Sequence, residues 1–146
     1  MIDEKLIGKT YPEVRYVVGI EKIKEYCFAI SERHPLCVDE EAAKAGPYGE
    51  IIAPPTFAVV YQKEMFQTVL FDKELSLNLA MLVHGEQEFN FYKPVKHNDL
   101  VITTGKLHSA DARKGNLIVR FWVESKVDDE LVCTSMFTVL IRGGAS

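Results

Sequence analysis

The sequence predicts an α+β protein in which a long antiparallel sheet covers its apolar face with one buried helix. Three observations carry this expectation. From residue 83 onward, apolar residues recur at every second position, the period of half-buried strands. Those strands follow one another with short polar turns between them, which is the pattern of a meander. The run TFAVVYQKEMFQTVL (56–70) is apolar nearly all round, as in a helix buried on most sides.

The elements are justified in order along the chain. VRYVVG (14–19) is β-branched and aromatic and predicts a short strand stopped by Gly19. IEKIKEYCFAIS (20–31) sets Ile20, Ile23, Cys27 and Ile30 at helical spacing on one face expected to be buried, with charged residues between them. Pro35 forces the chain out of that helix, and His34 before it is pushed to an extended conformation. Asp39 is expected to cap a second short helix, EEAAKA, that ends at Gly46. GPYGEIIAPP is turn chemistry around a short apolar run, after which Thr56 is expected to cap the buried helix. In VHGEQEFNFYKPV, strict alternation places Phe89 and Phe91 on one face and His84, Glu86 and Glu88 on the other. DLVITTGKLHSA follows the turn KHND. NLIVRFWVESKV then puts Leu117, Val119, Phe121 and Val123 on one face, and the DDE turn leads to LVCTSMFTVLIR in a hairpin.

The length of 146 residues fits one domain spanning 1–146. Apolar residues make up 47% and charged residues 26%, the balance of a soluble globular protein that needs no disulfide or metal staple. The formal net charge is −4 and no Lys/Arg cluster accompanies the aromatic residues, which argues against nucleic acid as a partner. The longest apolar stretches fall far short of the ~20 residues that span a bilayer. The N-terminus has no basic region followed by an apolar run, so no signal peptide is expected. Cys27, Cys37 and Cys133 are odd in number and lack C-x-x-C spacing, which reads as reduced thiols in a cytoplasmic protein.

SERHPLCVD (31–39) holds most of the residues from which chemistry is built. Glu32, His34 and Cys37 have the composition of a metal site or a Cys–His nucleophile. H-x-x-C offers only two ligands, however, and no second pair with ligand spacing exists elsewhere. From composition alone the stretch reads as a helix-end loop around a small buried cysteine, with no metal.

Two longer motifs change its meaning. AAKAGPYGEIIAPPTF (42–57) and HGEQEFNFYKPVKHND (84–99) resemble the MaoC-type dehydratase family. More narrowly, they resemble its N-terminal or "A" type half, which includes the non-catalytic subunit of mycobacterial (3R)-hydroxyacyl thioester dehydratases. The resemblance runs from about residue 10 to 142. It implies the hot-dog fold, a long antiparallel sheet wrapped around a central helix. It also implies a thioester chemistry without cofactor: loss of water from a (3R)-3-hydroxyacyl thioester, carried on CoA or an acyl carrier protein, or addition of water to the trans-2-enoyl form. Active members carry a motif of the type S-G-D-x-N-P-(I/L)-H. Its Asp and His share the catalytic water, and a later Gly offers its N–H to the thioester oxygen.

Anchored on Pro35, the resemblance places the family's Asp on Glu32, its Asn on His34 and its His on Cys37. An ungapped count places the oxyanion Gly on Pro55. Glu lengthens the acidic arm by one carbon, Cys removes the group that titrates near neutrality, and Pro has no N–H to donate. Glu32 and Cys37 thus stand in altered catalytic positions. His34, Tyr48, Pro55, Thr56, Phe57, His84 and Gly85 are the expected substrate-binding residues. His84 either lines the acyl or pantetheine channel or bonds a neighbouring backbone, and Gly85 marks a close backbone approach. Glu64 on the central helix is a second candidate, either as a thioesterase carboxylate or as part of a polar stripe with Lys63.

The resemblance therefore implies an acyl-thioester-binding protein, expected as a homodimer or as a heterodimer with a catalytic MaoC-type hot-dog subunit. The alternatives are a stand-alone hydratase using Glu32 and an acyl-CoA thioesterase using Glu64.

Overall fold

The structure, a computed structural model, describes residues 2–145. Five antiparallel strands form one sheet: β1 (Thr10–Val17), β2 (Leu82–Phe91), β3 (Leu100–Arg113), β4 (Asn116–Val127) and β5 (Glu130–Ile141). Their spatial order is β1-β3-β4-β5-β2. β3, β4 and β5 are the expected meander. Both of its hairpins turn on two residues of positive φ, Lys114-Gly115 (50° and 79°) and Asp128-Asp129 (48° and 63°), which match the twist of the flanking strands. β2 does not continue that meander; it crosses over to pair with β5 at the sheet's edge.

The helices are α1 (Ile20–Ile30), α2 (Pro35–Val38), α3 (Glu40–Ala45), α4 (Ala58–Tyr61) and α5 (Lys63–Leu70). α1, α2 and α3 pack with Ile51, Ala53, Phe57 and Tyr61 in one apolar cluster. α5 packs with β3, β4 and β5 in a second cluster built on Met65, Val69, Leu107, Phe121 and Phe137. A Cβ at Gly105 would lie 2.7 Å from Met65 Sδ, so the bare glycine lets α5 settle onto the sheet. A helix held in the concave face of a five-stranded antiparallel sheet is the hot-dog arrangement.

Four local expectations are corrected. The first strand begins at Thr10, four residues before the expected start. Pro12 is accommodated because β1 is an edge strand and its register with β3 shifts between Tyr11 and Val14. Pro35 does end α1's path, but it also opens α2 as the N1 residue, where a missing N–H costs nothing. Ile30 on α1 is 44% exposed, because the helix ends there and Ser31 takes a left-handed conformation. Thr56 is not a helix cap. Pro54 and Pro55 set up a 3₁₀ turn, Pro55–Phe57, and α4 starts behind it with no side-chain cap.

The central helix is also neither continuous nor buried on all sides. It breaks at Gln62, and its Val59, Lys63, Glu64 and Gln67 are exposed. At the break the helix is tied to the sheet. Gln62 is buried, its Nε2 donates to Ser125 Oγ at 3.1 Å, and Ser135 Oγ donates to its Oε1 at 2.7 Å. Thr103 Oγ1 lies 2.9 Å from the same Ser125 hydroxyl. A polar layer from β3, β4 and β5 thus holds one helix side chain between the two apolar clusters. Among the described residues no buried side-chain polar atom lacks a partner.

Candidate functional site

The loop after α1 is built from its own side chains. Glu32 Oε1 accepts the backbone N–H of both Arg33 and His34 at 2.8 Å. Those hydrogen bonds, His34's first, hold the Glu32 carboxyl below the usual range. His34 is extended (φ −62°, ψ 125°), as expected, and caps α2 by accepting the Leu36 N–H on Nδ1 at 3.3 Å. Cys37 lies two residues into that helix and is buried at 4% exposure, whereas His34 is exposed. His34 and Cys37 are thus held at the start of a short helix, residues 35–38. Burial first, then the neighbouring Cys27 and Glu32, push the Cys37 thiol up to about 11. The three loop residues are thereby committed to turn geometry or to the core.

The 51–57 segment forms a wall behind this loop. Ile52 N–H donates to the Leu36 carbonyl at 3.1 Å and Ala53 N–H to the Val95 carbonyl at 2.8 Å. Phe57 is buried and meets Tyr16, Tyr26 and Tyr61 at ring-centroid distances of 6.3, 5.5 and 6.3 Å. The Tyr26 hydroxyl lies 3.0 Å from the Thr56 carbonyl and 3.1 Å from its hydroxyl, which ties α1 to the 3₁₀ turn. Thr56 is therefore a fastening of this wall.

On the other side of the wall lie two neighbouring recesses between the central helix and β2. The first holds about 280 Å³ and is lined by Tyr48, Pro54, Pro55, Phe57, Tyr61, Phe91, Tyr92 and Lys93, among others. The second holds about 240 Å³ and is lined by Val59, Gln62, Lys63, Phe66, His84, Gln87, Phe89 and Phe137. They are divided by consecutive residues Tyr61 and Gln62 on one side and by the stacked rings of Phe91 and Phe89, 5.4 Å apart, on the other. Together they make a mostly apolar groove with a few polar groups, the usual character of a small-molecule site.

The expected binding residues divide sharply against this geometry. Tyr48, Pro55 and Phe57 line the first recess and His84 lines the second, while Thr56 and Gly85 line neither. Glu32, His34 and Cys37 also line neither; Cys37 shares the core cluster with Ala53 and Phe57 behind the wall. Glu64 lies at a different recess, with Arg15, Tyr16, Lys63 and Gln67 towards β1.

His84 is placed by a feature that strict alternation misses. Against β5, His84 pairs with Val139 and Glu86 with Thr138, so Gly85 is an extra residue in a β-bulge. The bulge turns His84 onto the face of Phe89, where its ring lies 5.4 Å from Phe66. The opposite face was expected for His84. A Cβ at Gly85 would meet the Thr138 carbonyl only at 3.6 Å, an ordinary contact, and its φ is not positive, so the expected close backbone approach is absent and nothing in the structure demands glycine there. Gln62, Lys63, Phe66, Gln87 and Tyr92 were not anticipated in the site. Gln62 and Lys63 left a signal as polar residues inside an apolar run, Gln87 and Tyr92 lie in the 84–99 motif, and Phe66 left none.

No group of three or more potential ligands forms a metal site among the described residues. No helix among them is long and apolar enough to cross a membrane.

Comparison with known proteins agrees with this geometry. Residues 5–135 match the model of the FAS1-like dehydratase domain region. The chain is 41% identical over 147 residues to a UPF0336 protein of Saccharopolyspora erythraea, covering 99% of this chain and 94% of the relative. Among solved structures it is similar to the HadBC (3R-hydroxyacyl-ACP dehydratase) complex from Mycobacterium tuberculosis, with a TM-score of 0.79 and 30% identity over 96% of this chain and 99% of that one. It is likewise similar to a MaoC-like dehydratase, with a TM-score of 0.78 and 25% identity, covering 95% of this chain and 43% of that larger one. This chain therefore belongs to the FAS1-like dehydratase-region family and is a hot-dog protein of the MaoC-like kind.

Proposed function

We propose that this chain is an acyl-thioester-binding subunit of an (R)-specific 3-hydroxyacyl thioester dehydratase, and that a partner hot-dog subunit supplies the acid–base pair. The dehydration takes a proton from C2 of the thioester and returns one to the departing C3 hydroxyl. It needs a group that titrates near neutrality beside the substrate. The observation that carries the reading is the contrast between the loop and the groove. The residues standing where active relatives hold Asp and His are a carboxylate bound by two backbone N–H groups and a buried thiol raised to about 11. Neither lines the apolar groove, which stays open for an acyl chain. The HadBC complex, built from more than one subunit, supports an assembly of this type.

Mixing the chain with a catalytic MaoC-type subunit that retains its Asp and His tests the proposal. Hydration of an enoyl thioester should rise in the mixture above the sum of the separate activities. Acyl-CoA should also bind the chain and quench the fluorescence of aromatic residues in the groove. Full activity of the chain by itself would defeat the proposal.

A further inference from the structure

The sheet's outer face, turned away from the central helix, carries more apolar surface than a solvated face needs. A sheet with one face in water alternates apolar and polar residues along each strand. On β5 the outward positions are Thr134, Met136, Thr138 and Leu140, none of them charged, while Phe137 and Val139 between them belong to the core. On β4, Trp122 lies opposite Met136 and Ile118 opposite Leu140. All four apolar residues are only half-buried. Trp122 is the chain's one tryptophan. Its row crosses all five strands as Thr10, Lys106, Trp122, Met136 and Glu88. An exposed cation and an exposed carboxylate thus flank an indole and a thioether. Neither charge is neutralised within the chain. Lys106 has no ion-pair partner among the described residues, and Glu88 receives only a hydrogen bond from the Asn90 amide at 3.3 Å.

We infer that this outer face is a contact between two copies of the chain, stacked sheet against sheet. The row is complementary to itself. A two-fold axis parallel to the strands, running between β4 and β5, exchanges β3 with β2 and β4 with β5 and leaves every row in place. It sets Lys106 over Glu88 of the second copy twice, and Trp122 over Met136 twice, which is a favourable sulfur–aromatic contact. In neighbouring rows Ile118 meets Leu140, and the Ser109 hydroxyl meets the Glu86 carboxylate. An axis along the row itself would stack Lys106 on Lys106 and Glu88 on Glu88. Charge therefore selects the axis parallel to the strands. Facing sheets pack about 10 Å apart with their strands within about 30° of each other, so the match is kept near the axis, where Trp122 and Met136 lie. The groove is on the opposite face of the sheet, so stacking leaves both copies' grooves on the outside of the assembly.

The single tryptophan reports on this face directly. The wild-type chain is followed through a dilution series by sedimentation and native mass spectrometry, together with acrylamide quenching of Trp122 fluorescence. The assembly should separate into halves on dilution, and Trp122 should become severalfold easier to quench as it does. Lys106→Glu and Glu88→Lys each turn both Lys106–Glu88 contacts repulsive. Each should weaken the assembly on the order of tenfold at low salt. Mixing the two variants in equal amounts restores opposite charges at both contacts and should recover the wild-type affinity. These differences should shrink at roughly 1 M salt, where the screening length is about 3 Å. The inference is overturned if Trp122 stays open to acrylamide at every concentration, which places any contact between copies elsewhere. It is equally overturned if the mixed variants associate no better than each does alone. No thioester enters the experiment, so its failure would leave the reading of the groove intact, and failure of acyl-CoA binding would leave the stacked face standing.

Discussion

The loop at residues 31–39 and the groove along β2 share one wall, the 51–57 segment, and have opposite characters. The loop carries the acid, the imidazole and the thiol, yet one carboxylate oxygen of Glu32 and Nδ1 of His34 hold backbone N–H groups and Cys37 is in the core. The groove carries mainly aromatic and aliphatic surface and remains open. Chemical residue types are thus no evidence of chemistry once their polar atoms are committed elsewhere.

The contrast can be broken first at the shared wall. Phe57→Ala removes a buried ring from between three tyrosines and should cost about 3–5 kcal/mol of stability, read as a lower denaturant midpoint. It should damage loop and groove together. Gln62→Ala removes the acceptor of the buried Ser135 hydroxyl and one of the two partners of Ser125 in the layer between the apolar clusters, and should cost about 1–3 kcal/mol. Phe89→Ala should act on the groove alone. It should weaken medium-chain acyl-CoA binding about tenfold, the value of one well-buried aromatic contact, with little change in melting temperature because the ring is only partly buried.

Two smaller effects sharpen the loop's side of the comparison. All three cysteines are buried, so iodoacetamide at neutral pH should label none of them in the native protein and all of them in denaturant. Cys37 has its folded pKa raised from 9.0 to about 11. Its contribution to stability is therefore full below the unfolded value and declines as pH rises through that window, which a series of melting curves would show. Glu32→Ala should be the mildest change, lowering the melting temperature slightly and leaving acyl-CoA affinity as it was.

Much of the fold was legible because period and turn chemistry are local. The β3–β5 meander, the Asp39 cap with Oδ1 on two N–H groups, and the end of α3 at Gly46 follow from nearby residues. What was not legible depends on distant partners. β2's place beside β5 is decided by pairing across fifty residues of chain, and alternation read along the strand cannot reveal the bulge that turns His84 over. The burial of Gln62 within an apolar run depends on hydroxyls from β4 and β5. In the site, Tyr48, Pro55 and Phe57 were reached through the motif they belong to. Phe66 belongs to no motif, and it joins Gln87 of the 84–99 motif in the groove only when the helix lies against β2.

The most direct test of the central claim is hydration of crotonyl-CoA by the purified chain alone, followed as loss of enoyl absorbance. A chain whose loop has been given over to structure should bind acyl-CoA and show no turnover above buffer. Robust turnover that disappears in Glu32→Ala would contradict the account.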